Sequence, residues 1–114
     1  MPESPAGIWA EIQTRQADLA KTIEAKQLEA VHEKAFAVRD GVNALLAKSS
    51  DLPAEQVAKL RANAKFVADL AERLDKSGDA NDLAATQENF KKLDGILKGI
   101  PALYPPGKLG TPAM

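Results

Sequence analysis

Apolar side chains in this sequence recur at alternating intervals of three and four residues, and this period most constrains the fold. One such series runs from Leu28 to Leu45, and a second runs from Val57 to Leu74. On a helix of about 3.6 residues per turn, this alternation aligns the side chains in one stripe. Each segment is therefore predicted to be an amphipathic helix that buries one face against other helices.

Capping residues, prolines and glycines divide the periodic region. The predicted helices span 5–26, 28–48, 53–76 and 82–99. Proline opens the first and third, because it lacks the N–H group that a first helical turn leaves unpaired. We expect Ser77 and Gly78 to end the third helix, since glycine adopts the left-handed conformation common just past a helix end.

The boundary between the first two helices is marked only by a change of phase. Ile23 and Leu28 are five residues apart, which breaks the three-four alternation. A turn or kink is therefore predicted near Lys26 and Gln27. No glycine or proline lies there, so a single long helix over 5–48 is the alternative interpretation.

The fold class that follows is all-α, arranged as an up-down-up-down four-helix bundle. Aromatic residues make up only 4% of the chain, and residues that favour strands are too few to build a sheet. Short connections make consecutive helices antiparallel neighbours, and the predicted core is large enough for a stable monomer. One large aromatic residue per helix is expected to pack toward the core: Trp9, Phe36, Phe66 and Phe90.

The C-terminal segment 101–114 is predicted to be a non-helical, extended tail. It is rich in proline and glycine, which interrupt helical hydrogen bonding. Leu103 and Tyr104 are the tail residues expected to pack against the bundle, near Trp9.

Charge and composition exclude several classes of function. With 15 basic and 16 acidic residues and a net charge of -1, the chain lacks the basic face that nucleic-acid binding requires. It has no apolar run of about 20 residues, so no membrane insertion is expected. There is no cysteine and only one histidine. Thiol chemistry, a Ser-His-Asp triad and a multi-histidine metal site are thus disfavoured, and we predict no enzymatic activity.

His32 is the principal candidate for chemistry, because it is the only histidine in the chain and histidine is the residue type best suited to acid–base and metal-binding roles near neutral pH. Glu29 lies three residues before it, a spacing that lets a carboxylate and an imidazole on one helix share a divalent metal ion. The alternative is a solvated or hydrogen-bonded histidine at the edge of the apolar stripe. Phe36 and Arg39, near His32, are candidates for binding a partner.

A second candidate patch for a protein partner combines Trp9 with Tyr104. Gly41 and Gly95 also stand out, because each lies inside a predicted helix at a cost of about 1 kcal/mol relative to alanine. Close crossing of helices is the preferred explanation, and room for a ligand is the alternative.

The architecture of residues 5–100 resembles the small exported four-helix bundles of the cytochrome b562 and cytochrome c′ type. Those proteins bind haem through a methionine on the first helix and a histidine on the last, or through a CxxCH motif. Here methionine occurs only at Met1 and Met114, and the fourth predicted helix has neither histidine nor cysteine. The resemblance therefore implies the fold without the haem cofactor.

Three stretches, 8–40, 52–82 and 88–100, resemble a helical module of exported bacterial proteins that sometimes accompanies heavy-metal or copper efflux components. The shared sequence motif consists of Val31-His32, Ala35-Phe36-Ala37 and Arg39-Asp40. This resemblance implies a periplasmic location, with a leader or upstream domain missing before Met1. It also implies a protein partner in an efflux or envelope assembly, and weak binding of a divalent metal.

Two functional hypotheses follow. The first is a non-catalytic periplasmic accessory module linked to metal handling, with its site around Glu29, His32, Phe36 and Arg39. The second is a structural protein-interaction bundle without a small ligand. The second predicts an exposed apolar patch, either at Phe36 with Leu46 or in the Trp9 and Tyr104 region.

Overall fold

Four α-helices make up most of the computed structural model, which describes residues 4–105 and 109. The helices are α1 (Pro5–Glu24), α2 (Val31–Ala47), α3 (Ala54–Asp79) and α4 (Leu83–Lys98). Short 3-10 turns precede α2 at Leu28–Ala30 and follow α4 at Pro101–Leu103. No strand occurs in these residues, so the predicted all-α four-helix bundle is confirmed.

Side-chain caps explain where α1 and α4 begin. The Ser4 hydroxyl accepts a hydrogen bond from the Gly7 N–H at 3.1 Å. At the start of α4, the Asp82 carboxylate accepts one from the Ala85 N–H at 3.0 Å. Each bond satisfies a backbone donor that the first helical turn would otherwise leave unpaired.

The break between α1 and α2 lies at Lys26 and Gln27, as the phase change in the sequence predicts. Lys26 has a φ of 60°, so the chain turns through the left-handed region there. The 3-10 turn at Leu28–Ala30 then leads into α2. The single helix over 5–48, the alternative interpretation, is wrong.

The expected end of α3 at Ser77 and Gly78 is also wrong, because the helix continues to Asp79. Asn81 takes the left-handed conformation beyond the helix, with a φ of 57°. Gly78 serves packing instead. A Cβ atom there would lie 2.8 Å from the backbone oxygen of Leu28, so glycine allows α3 to pass directly against the turn that precedes α2.

The core lies along the axis of the bundle and is apolar. Consecutive helices pack closely against each other, whereas α1 and α4 are the most open pair of neighbours. The largest fully buried side chains are Ile8, Ile12, Leu19, Leu45, Leu60, Leu74, Leu93, Leu97, Ile100, Val31, Val38 and Val42. In the described part of the chain, no helix is both long and apolar enough to cross a bilayer.

The four aromatic residues that were predicted to pack in the core, one from each helix, do not share one environment. Trp9 is buried, and Phe36 and Phe90 pack partly buried against the core. Phe66 is 58% exposed, so the expectation that it packs in the core is wrong. Its neighbour Val67 faces the interior, and the rotation of about 100° per residue places Phe66 on the flank of α3.

The beginning of the C-terminal segment folds back onto the bundle, so an extended tail is not what residues 101–105 form. Pro101–Leu103 makes a 3-10 turn, and Tyr104 and Leu109 are buried. The hydroxyls of Tyr104 and Ser49 are 2.5 Å apart, which attaches this segment to the end of α2. Residues 106–108 and 110–114, also part of the predicted tail, lie outside the described residues.

Candidate functional site

His32, Phe36 and Arg39 form one cluster on α2, because residues three and four apart share a helix face. The His32 ring meets the Phe36 ring edge-on, with 6.0 Å between their centroids. The Arg39 guanidinium lies 4.5 Å from the centroid of Phe36, a cation–π geometry, and its Nη2 atom lies 2.9 Å from a carboxylate oxygen of Asp40. The cluster thus covers Phe36, and His32 itself is exposed.

Glu29 does not extend this cluster in the way the sequence suggests. It lies in the 3-10 turn before α2, so it and His32 do not occupy successive turns of one α-helix. Within the described residues, no group of three or more histidines, cysteines and carboxylates is placed to hold a metal ion. Two side chains at most would ligate a metal here, and tightly held metal ions in proteins have more ligands than that.

Trp9 and Tyr104, the other predicted partner-binding residues, are both buried. Neither side chain therefore contributes an exposed apolar patch, contrary to the prediction. Desolvation raises the pKa of Tyr104 above its ordinary 10.0; the hydrogen bond with Ser49 lowers it, and the charge of Asp51 raises it further. Tyr104 secures the fold at this end of the bundle rather than presenting a contact surface.

A groove between α3 and α4 contains Phe66, the aromatic residue that was expected to pack in the core. Phe66 is the one large apolar side chain that is exposed among the described residues. The groove has a volume of ≈ 440 Å³. Its lining consists of Phe66, Asp69, Leu70, Arg73, Lys92, Gly95 and Ile96.

Gly95 lies in this groove and differs from two other glycines that lie inside helices. A Cβ atom at Gly41 would meet Ile12 Cγ1 at 2.8 Å, which confirms close crossing of α1 and α2 there. The Cβ position of Gly78 is blocked by backbone. At Gly95, no atom of residues 4–105 or 109 lies within 4 Å of the Cβ position, so close crossing of helices does not explain this glycine, and the space is open to the groove.

Of the three charged side chains that line the groove, Lys92 is the one without an ion-pair partner among the described residues. Arg73 and Asp69 pair with each other at 3.2 Å, and both are half exposed. Lys92, on the opposite wall, forms no ion pair with any described residue. The lining therefore combines an apolar floor with a net positive rim.

The other grooves are less apolar. Between α1 and α4, a groove of ≈ 420 Å³ is lined by alanines, glutamines and the edge of Phe90, and the Gln16 amide donates a hydrogen bond to Asp94 across it. Between α1 and α2, the lining is mainly charged. Arg15 already spans that groove, donating to the Ala37 carbonyl at 2.8 Å.

Comparisons with known proteins found no matching family model, no matching curated protein and no matching solved structure. Function is therefore argued from the geometry of the described residues. The two resemblances noted in the sequence stay predictions.

Sequence reasoning singled out Gly95 but preferred close crossing of helices as its explanation, which the open space at its Cβ position contradicts. The interior position of Gly95 marked it as a residue in need of an explanation, with room for a ligand as one alternative. Phe66 gave no comparable signal. It lies next to the apolar stripe of α3, and only the rotation of α3 against α4 decides whether such a residue is buried.

Proposed function

We propose that this chain is a non-catalytic protein-interaction bundle that binds its partner in the groove between α3 and α4. One observation carries the proposal: the exposed phenyl ring of Phe66 and the open space beside Gly95 occur in the same groove. A partner seated in the groove would remove the exposed part of the Phe66 ring from water, and the open space at Gly95 gives that partner room to approach α4.

Burial of apolar surface in the groove would favour binding of a partner. Covering a large apolar side chain such as Phe66 contributes about 1.5–3 kcal/mol. A glycine inside a helix costs about 1 kcal/mol relative to alanine, and at Gly95 no contact with another described residue offsets that cost. Close approach of a partner to Gly95 gains the packing contacts that the chain itself does not make.

The distribution of polar groups supports a non-catalytic role. The buried polar side chains of the described residues are Thr22, Ser49, Ser77 and Thr86. No carboxylate or imidazole is among them, whereas acid–base catalysis usually relies on such groups in sites that shift their pKa. The α3–α4 groove offers Asp69, Arg73 and Lys92 in solvent, which suits recognition of a charged surface.

Affinity capture from extracts of the native cell tests the proposal. Immobilised wild-type protein is compared with Phe66→Asp and with Asn43→Asp, which places the same charge on an exposed position of α2. We expect proteins that are retained by the wild type and the α2 variant and lost with Phe66→Asp. Identical sets retained by all three proteins contradict the proposal, provided that circular dichroism shows each variant to be folded.

A periplasmic, metal-handling role is the second candidate, and the cluster of His32 with Phe36 and Arg39 is the observation that favours a site there. NMR titration of His32 with Cu(II), Ni(II) and Zn(II) tests it. Changes in the backbone amide signals around His32 well below millimolar metal, as shifts with Zn(II) and as line broadening with the paramagnetic Cu(II) and Ni(II), support a metal site if they are lost in His32→Ala and weakened in Glu29→Gln. Shifts only at millimolar metal rule out a role as a metal ligand.

A further inference from the structure

We propose that the occupant of the α3–α4 groove is a single amphipathic helix of a partner protein, carrying a large apolar side chain and a carboxylate about one turn away. This inference rests on the proposed function and adds the chemistry of the partner. The shape of the groove, its charge and the surface around it all favour this occupant.

The shape of the groove fits a helix. Two packed helices form its walls, and the side chains of Leu70 and Ile96 line it together with Phe66. No atom of the described part of the chain lies within 4 Å of the Cβ position of Gly95, so a helix backbone can approach α4 more closely there than at a residue with a side chain. Helix-in-groove recognition places apolar side chains at intervals of three and four along such a cleft.

The charge of the rim favours a carboxylate on the partner. Asp69 and Arg73 neutralise each other, whereas Lys92 has no acidic partner among the described residues. A carboxylate about one turn from the apolar anchor can reach the Lys92 ammonium group while the anchor packs on Phe66. A lysine at the same place would meet like charge.

The surface beside the groove disfavours a second copy of this chain. A stable dimer buries about 800 Å² on each partner, which would extend the contact well beyond the groove. The exposed residues nearby on α3 and α4 are mainly charged: Lys65, Glu72, Glu88 and Lys91. A single helix covers the groove without burying these side chains.

Two synthetic peptides of about 18 residues, long enough for appreciable helix formation, provide the direct test. Both carry the same stripe of leucines, one flanked by glutamates and the other by lysines. Titration into the ¹⁵N-labelled protein is followed by NMR. We expect the glutamate peptide to shift the amide signals of Phe66, Lys92 and Gly95, and the lysine peptide to bind at least about fivefold more weakly.

Variants of the protein separate charge from shape. Lys92→Glu is expected to reverse the preference between the two peptides, whereas Lys91→Glu, the matched control on the neighbouring residue, leaves the preference in place. Gly95→Leu fills the open space and is expected to weaken both peptides. Thermal unfolding confirms that each variant is folded.

Equal binding of the two peptides in the groove overturns the inferred carboxylate, and leaves the protein-interaction function standing. Binding that persists in Gly95→Leu overturns the inferred site. Self-association of the wild-type protein that Phe66→Asp abolishes, measured by analytical ultracentrifugation, overturns the inference in favour of a second copy. Failure of the affinity capture described above is the separate result that contradicts the function itself.

Discussion

Glycines inside helices have different roles in this protein, and their surroundings determine how each responds to substitution. At Gly78 an added methyl group would meet the Leu28 carbonyl oxygen, which belongs to the backbone and cannot rotate away. At Gly41 it would meet Cγ1 of the fully buried Ile12 at 2.8 Å. At Gly95 it would meet no atom of the described residues within 4 Å.

Gly95→Ala is therefore expected to raise the free energy of unfolding by about 1 kcal/mol, the difference in helix propensity between the two residues. Gly78→Ala is the matched control and is expected to lower it by about 1–3 kcal/mol, since overpacking forces the backbone to shift. Urea denaturation followed by circular dichroism measures both. A destabilised Gly95→Ala protein would show that Gly95 has a structural role within the chain.

Tyr104 ties the segment after α4 to the end of α2. The Ser49 hydroxyl donates its hydrogen to the Leu45 carbonyl at 2.6 Å, so the Tyr104 hydroxyl is the donor in its bond with Ser49. Tyr104→Phe removes this bond and leaves the Ser49–Leu45 bond in place. We expect a loss of about 1 kcal/mol in the free energy of unfolding at neutral pH.

Because the pKa of Tyr104 is raised in the folded protein, the loss of unfolding free energy in Tyr104→Phe depends on pH. In the unfolded chain the phenol ionises near its ordinary 10.0, whereas burial keeps it protonated to higher pH in the folded protein. Its contribution to stability is complete below pH 10 and declines as the pH rises through the folded pKa. The difference in unfolding free energy between wild type and Tyr104→Phe should thus narrow above pH 10. Denaturant unfolding at alkaline pH measures it. A difference that stays constant would contradict the claim that the Tyr104 hydroxyl is buried.

At the scale of elements, the turn between α1 and α2 carries backbone strain. Lys26 has a φ of 60°, a conformation that costs a residue with a side chain about 1–2 kcal/mol. We expect Lys26→Gly to raise the melting temperature, because glycine adopts this conformation without the steric penalty. Lys21→Gly, inside α1, is the control and should lower it. A lower melting temperature for Lys26→Gly would contradict the left-handed turn.

The sequence predicted the helices well because their determinants are local. The three-four series from Leu28 to Leu45 lies along α2 and the turn that precedes it. The phase change after Ile23 predicted the turn at Lys26. The end of α3 was missed, because Gly78 looks like a helix terminator in sequence and only the neighbouring turn at Leu28 shows that it allows close packing.

The candidate site was predicted less completely, because it depends on how helices are rotated against each other. The spacing of His32, Phe36 and Arg39 brings them together on one helix, and the structure has this cluster. The spacing of Glu29 failed as a guide because a 3-10 turn precedes α2. The exposure of Phe66 follows from the packing of α3 on α4, which no local pattern encodes.

At the scale of the whole molecule, the α3–α4 groove is distinctive because basic and acidic side chains are nearly equal in number over the chain. The chain has nearly equal numbers of basic and acidic residues, and the described ion pairs lie within single helices. The core already occupies the centre of the bundle. Among the described residues, Phe66 is the one large apolar side chain that is exposed, and it lies in the same groove as the open space at Gly95. We therefore propose this groove as the binding site.

Site-specific photocrosslinking in the native cell tests this assignment most directly. The photoreactive residue p-benzoylphenylalanine replaces Phe66 in one protein and Asn43, exposed on α2, in the other. We expect a discrete crosslinked partner from position 66 that is absent from position 43 and is lost when Gly95→Leu is added. The same crosslinked products from both positions, or none from position 66, would contradict the α3–α4 groove as the binding site.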